Sequence, residues 1–539
     1  MWAALVLAFL SLLAAVKLRR SSTKHGPSNV ASLPSPSSSI AHWLFGHELL
    51  AFTHDATLMY SIWARALGPV YRIRASLFYP DVIVATDHAA VQRVFARATI
   101  YVKEPAWRQM IENWSGRGIV WAEGEEHARQ RRLLTPAFTP EIVKGMAPDV
   151  IQCTEELESK LISHISQTPS QSTTIDIMHP VSACALDIFG RVGLCYDFQA
   201  LHSTVLTPGP QPAVTAKAQT DATLIMGSWD ELVNASLSFA AFVAKGVIRA
   251  FPFIMRLPLP VLRQQGTGNR VIQELGARLL DKGGDRKGRD IMSILLKAHD
   301  DSEAGDGGGL TRDQIIQNMS TLLMAGHETT AGSVTFIMYE LARHPHVQAK
   351  LREEIRNGGN MTHDSIQKLQ YLDAVIKEGF RLHPTSPVTE RVALEDDILP
   401  LSKPIIGQDG TIVENIYISK GQAILIPFTT LNTNPLVWGS DGATFRPERW
   451  LKEGVENGGV PQPADRPNGW SGITTFCNGP RNCLGWRLGV FETKVIVATL
   501  VRSLEFRTTD DVVRTAISPT LQPIINGHGG IMPLRVSLA

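Results

Sequence analysis

The segment from Thr311 to Arg343 places the strongest limit on what this chain can become. Thr311, Arg312, Asp313 and Gln314 have the spacing of a capping box, in which the first and fourth residues satisfy each other's backbone N–H groups. Helical periodicity then runs unbroken to Arg343, and Pro345 stops it. At about 1.5 Å per residue, some 32 residues give a helix of roughly 48 Å. Such a helix crosses a whole domain, so a large body has to be built around it. With 539 residues, 44% of them hydrophobic, the chain has enough material for two or three average domains, or for one large domain with a tethered end.

Helical patterns dominate between about 140 and 385, and residues 371–382 read as another helix stopped before Pro384. Strand signals are short. Residues 69–74 and 81–85 read as two strands with a turn at Pro80, residues 411–418 and 423–427 form a second β-rich patch, and residues 529–536 read as a last hairpin. The expected class is therefore mainly α with small β-sheets. No 20- to 50-residue repeat is present.

The N-terminus has a different character. Residues 2–16 carry no charge, and Lys17, Arg19 and Arg20 follow at once. Positive charge after rather than before the apolar run favours a retained signal anchor over a cleaved signal, and keeps everything downstream in the cytosol. The expected organisation is a membrane anchor over 1–20, a Ser/Pro-rich linker over 21–39 and a body over 40–539. A formal charge of +1 gives no basis for nucleic-acid binding. Five irregularly spaced cysteines make neither a disulfide framework nor a zinc pattern, and fit a reducing compartment.

The chemistry concentrates near the C-terminus, at Phe476-Cys477-Asn478-Gly479-Pro480-Arg481-Asn482-Cys483-Leu484-Gly485. Asn478, Gly479 and Pro480 force a tight loop, and Cys483 then opens an apolar, helix-like run. A thiol at a helix start meets unpaired N–H groups and the positive end of the dipole, which favour thiolate. A rigidly held thiolate beside an arginine that can pair a carboxylate is what an axial haem ligand requires. The competing reading is an inert structural cysteine. Cys477, before the turn, reads as packing.

This loop resembles the Phe-x-x-Gly-x-Arg-x-Cys-x-Gly motif of the cytochrome P-450 family, the haem-thiolate monooxygenases. Three further stretches match in order. Ala325-Gly326-His327-Glu328-Thr329-Thr330, in the middle of the long helix, is similar to the family's Ala-Gly-x-(Asp/Glu)-Thr-Thr, which makes Glu328 and Thr329 the expected proton relay; Gly326 is expected to leave room for a ligand. Glu378 and Arg381 match Glu-x-x-Arg, and with Arg449 they form the family's structural ion cluster; Trp450 stands where phenylalanine is common. His127 and Arg131 match Trp-x-x-x-Arg, with histidine replacing tryptophan, and with Arg391 they are expected to meet the haem propionates. Arg129 and Arg132 are read as a solvated face.

The resemblance, over residues 40–539, implies the cytochrome P-450 fold with an N-terminal membrane anchor, and haem b (iron protoporphyrin IX) as cofactor. Cys483 would bind the metal; Phe476, Gly479, Arg481 and Gly485 would shape the cofactor site. It also implies electrons from NADPH through a separate reductase, with cytochrome b5 as a second donor, and location on the endoplasmic reticulum facing the cytosol. The expected substrate is an apolar small molecule of fungal secondary metabolism, such as a terpenoid. It would be lined by residues 101–121, Met324, Ala325, residues 386–388 including Val388, and Leu521. Two alternatives stand beside this: a thiolate-haem isomerase or dehydratase that uses no dioxygen, and a non-enzymatic haem sensor.

Overall fold

A computed structural model of the chain describes residues 28–211, 219–256, 266–282, 291–303, 309–462, 466 and 469–539. The expected anchor over 1–20 lies outside the described residues. Among the described residues no single helix is long and apolar enough to cross a membrane.

The long helix spans Arg312–Arg343 and begins as its sequence dictates: Thr311 Oγ1 accepts from Gln314 N–H, and Gln314 Oε1 accepts from Thr311 N–H, each at 3.2 Å. It is the axis of the larger core, to which helices Pro140–Ser166, Met178–Leu194, Gln370–Leu382 and Trp486–Ser503 contribute their apolar faces. Gly326 has a packing role here. A side chain at that position would collide with the ring of Phe189 on helix Met178–Leu194, so the missing Cβ admits a neighbouring helix rather than the expected ligand.

A second core lies under a five-stranded sheet. It runs β1 (Val70–Ile73), β2 (Val82–Ala85), β8 (Ala423–Pro427), β5 (Val388–Ala393), β3 (Tyr101–Lys103) in spatial order, with β2 and β8 parallel. The two expected strands at 70–85 form as an antiparallel pair. The patch at 411–427 divides instead: among the described residues β7 (Ile412–Ile418) pairs with β6 (Asp397–Ile406) alone, and β8 joins the large sheet. The expected last hairpin does not form either. β12 (His528–Gly529) extends the sheet of β10 (Arg514–Ser518) and β11 (Thr520–Ile525), whereas β13 (Pro533–Leu538) runs between β4 (Ser172–Asp176) and β9 (Leu504–Thr508). Local turn chemistry cannot reveal a partner more than 300 residues away. Residues 101–121, expected to line the substrate, begin with β3 and helix Pro105–Ser115, capped by Glu104 accepting from Trp107 N–H at 2.9 Å.

The described part of the expected linker is packed rather than free. Leu33 is fully buried, Pro34 O accepts from Arg72 N–H at 2.9 Å, and Ser32 O accepts from Gln408 N–H at 2.7 Å. Extended Ser/Pro backbone suits this role, because it satisfies a sheet edge without needing a partner strand.

Candidate active site

Residues 476–485 form a loop leading into helix Trp486–Ser503. Gly479 has a φ of +67°, and a Cβ there would stand 2.5 Å from Phe95 O, so the turn requires glycine. Cys483 N–H donates to Phe476 O at 2.8 Å and closes the loop. Phe476 is wedged between Phe380 and Trp470, with ring centres 5.1 and 5.3 Å away. Arg131, on helix Gly124–Leu134, donates through Nη1 to Asn482 O at 2.8 Å and through Nη2 to Asn482 Oδ1. Its fork thus positions the residue before Cys483, where the sequence predicts a free carboxylate clamp.

Cys483 is exposed, yet burial pushes its thiol up to about 11 against the opposing pull of the Gly485 N–H and Arg131. Both hold if the sulfur faces an interior opening rather than bulk water. The expected helix-start activation is weak because the helix begins only at Trp486, and desolvation outweighs it. Cys477 packs against the second core, and burial raises its thiol too.

Beside the loop lies an excess of positive charge. Lys103 on β3 stands directly opposite Arg391 on β5, both buried, a like-charge pair that destabilises a sheet by itself. Arg481 donates to Ala122 O at 2.6 Å and to Glu123, which also takes Lys103 Nζ at 3.0 Å. Arg108 lies 3.7 Å over the Trp121 ring. Burial first, then Arg481, Arg391 and Arg108, push the Lys103 ammonium well below its usual range. Arg481 is pushed down to about 10 by burial and then Arg108. His127 is buried and pushed down to about 4 by burial, then by Lys103 and Arg131, so at neutral pH it is an uncharged imidazole with one N–H. Among the described residues Glu123 is the carboxylate that both Lys103 and Arg481 share, while Glu126 and Glu112 act on Arg108.

The long helix supplies the opposite wall. Within its buried middle, Ala325 is exposed and Thr329 half-buried, so one face opens onto interior space. Thr329 Oγ1 donates to Ala325 O at 2.6 Å, as expected of a mid-helix threonine. Thr385 Oγ1 donates to Thr329 O at 3.2 Å, and Thr385 O accepts from Leu521 N–H at 2.8 Å. These bonds bring Leu521 and the start of β5, with half-buried Val388, to the same stretch of helix; Met324 is buried. The next residue, Thr330, donates to Glu492 Oε2 at 3.0 Å and so ties this wall to the helix that follows Cys483. Glu328 turns away from the opening: Oε1 accepts from Ser182 Oγ at 3.0 Å and lies 3.0 Å from His327 Nε2.

The family model described as Cytochrome P450 matches residues 36–526. The cytochrome P450 monooxygenase claP of Ampulloclitocybe clavipes is 31% identical over 466 residues, covering 84% of this chain and 82% of the relative. Cytochrome P450 monooxygenase 128 of Postia placenta is 30% identical over 535 residues, or 94% and 93%. The chain belongs to the cytochrome P450 family.

As a cytochrome P450 monooxygenase it is an oxidoreductase, and its cofactor is haem b. The residues present fit that group. A buried cation cluster suits two propionates, a thiol facing an interior opening suits an axial ligand, and iron binding would deprotonate it. Among the described residues no group of three or more His, Cys, Asp or Glu is placed to hold a bare metal ion. Lys103 and Arg108 belong to the cluster although sequence reading passes over them. A lysine in a three-residue strand and an arginine in a helix give no signal until β3 meets β5.

The ion cluster of this P450 is complete. Glu378 accepts from Arg381 Nε at 2.9 Å and Nη2 at 2.8 Å, from Arg449 Nε at 2.9 Å, and from the Arg446 N–H at 2.9 Å. Trp450 Nε1 adds a fifth bond at 2.9 Å, which phenylalanine could not make. Burial alone would raise the Glu378 carboxyl, but Arg381 and then Arg449 hold it below its usual range. Arg132 is exposed as expected, whereas Arg129 is drawn in to donate to Gly309 O.

Proposed function

We propose that this P450 inserts one oxygen atom from dioxygen into an apolar small molecule, by hydroxylation or epoxidation, in fungal secondary metabolism. The carrying observation is the opening at Ala325 and Thr329, whose neighbours Met324, Val388 and Leu521 are apolar. Haem with a thiolate ligand supplies the oxygen activation. Phe476, Gly479, Arg481 and Gly485 shape its sulfur side; Lys103, Arg108, His127, Arg391 and Arg481 receive its propionates. Thr329 is the hydroxyl and Glu328 the acid of the proton relay, and a relay of this kind favours the monooxygenase over a dioxygen-independent isomerase or a sensor. The two fungal relatives support the metabolic setting.

Electrons come from NADPH through a separate reductase, with cytochrome b5 as second donor. The protein sits on the endoplasmic reticulum membrane with its body in the cytosol. Residues 1–20 supply the anchor, and an aromatic surface assists: Trp43 and Phe239 are exposed at either end of a ring contact path through His42 and Phe45. The test is purified protein with reductase, NADPH and a panel of terpenoids and aromatics. Oxygenated product that requires dioxygen is expected; product formed equally without dioxygen, or none across a panel that binds, refutes the proposal.

A further inference from the structure

Behind Glu328, away from the Ala325 opening, lies a separate small cavity. It admits the centre of a water-sized sphere through about 10 Å³, room for one water molecule. Three buried polar atoms on its lining residues lack a partner: Glu328 Oε2 on the long helix, Trp229 Nε1 on helix Asp221–Ser236, and Gln522 Oε1 on β11. These residues are 2%, 7% and 1% exposed. One donor and two acceptors are what a single water can satisfy, and leaving all three buried and unpaired is costly. Asp230 and His179 also line the cavity, and the Asp230 side chain is 45% exposed, so the cavity reaches solvent there. The walls are fixed: Ser518 Oγ donates to Val233 O at 2.7 Å, and Asn234 Oδ1 accepts from Gly529 N–H at 3.0 Å, tying the Trp229 helix to the β10–β12 sheet.

We propose that one ordered water, held by Trp229, Gln522 and Glu328, connects Asp230 at the surface to Glu328 and reloads the acid of the relay with protons. Asp230 donates its proton to the water oxygen, and the water passes one of its own protons to Glu328 Oε2; the water is regenerated and one proton has moved inward. Trp229 and Gln522 are positioning residues. Burial, then the carboxylates of Glu328, Asp176 and Glu231, push the Asp230 carboxyl well above its usual range, the direction that lets it carry a proton. Half-exposure of its side chain limits the size of that shift.

The inference rests on the monooxygenase reading, and its test has an arm independent of turnover. A high-resolution crystal structure of the holoenzyme is expected to show one solvent oxygen within hydrogen-bond distance of Trp229 Nε1, Glu328 Oε2 and Gln522 Oε1; a dry cavity overturns the proposal. In the second arm, Asp230→Asn and Trp229→Phe are compared with wild type for NADPH oxidation with reductase and the fastest-turning panel compound, in light and heavy water. Both variants should keep the reduced carbon-monoxide spectrum, slow NADPH oxidation roughly tenfold and show a larger solvent isotope effect. Unchanged rate and isotope effect in Asp230→Asn overturn it. A wild-type enzyme that consumes no dioxygen refutes the monooxygenase reading instead, and leaves the crystallographic arm standing.

Discussion

Replacing Trp450 by phenylalanine isolates one hydrogen bond in the buried ion cluster. The indole N–H meets Glu378 Oε2 at 2.9 Å, and Arg381 Nε meets the same oxygen at 2.9 Å. A hydrogen bond to a charged group is worth about 1.5–3 kcal/mol, and the low end applies because Glu378 keeps its other four donors. Losing the indole's second ring from a half-buried site removes roughly 30 Å² of apolar burial, about 0.8 kcal/mol. The expected loss is therefore ~2 kcal/mol, read as a lower urea midpoint at unchanged slope for release of bound haem. In a Glu378→Gln background the acceptor is an uncharged amide, so the hydrogen-bond part should shrink toward about 0.5–1 kcal/mol while the ~0.8 kcal/mol packing part remains. Equal losses in both backgrounds, or a loss below about 0.5 kcal/mol in wild type, would refute the assignment of the indole as a working donor.

Cys483→Ala should abolish the thiolate-type carbon-monoxide spectrum and Cys477→Ala should leave it; the opposite pattern reverses the ligand assignment. Thr329→Ala should bind haem normally yet divert NADPH to hydrogen peroxide, and unchanged coupling removes Thr329 from the relay. Burial pushes Glu492 up to about 8 from 4.5, opposed by the bond from Thr330. The folded protein thus holds a proton that the unfolded chain releases, and this contribution to stability is full below pH 4.5 and lost as pH rises through 8. Urea midpoints of wild type should fall relative to Glu492→Gln across that range, with ~5 kcal/mol as a ceiling, and parallel curves contradict the shift.

The sequence by itself determined whatever is encoded within one turn or one helix. The Thr311–Gln314 capping box, the run to Arg343, the glycine at 479 and the Glu378–Arg381 spacing are local, since backbone geometry and i,i+3 neighbours are fixed by adjacent residues. Only the tertiary structure decided what those residues face. It filled the gap at Gly326 with Phe189, turned Arg131 onto Asn482, set Lys103 against Arg391, and sent β13 to β4 and β9 instead of into a hairpin. It also reversed the balance at Cys483, because the desolvation that raises a thiol is summed over surroundings drawn from distant parts of the chain, whereas the helix-end effect reaches no further than one turn.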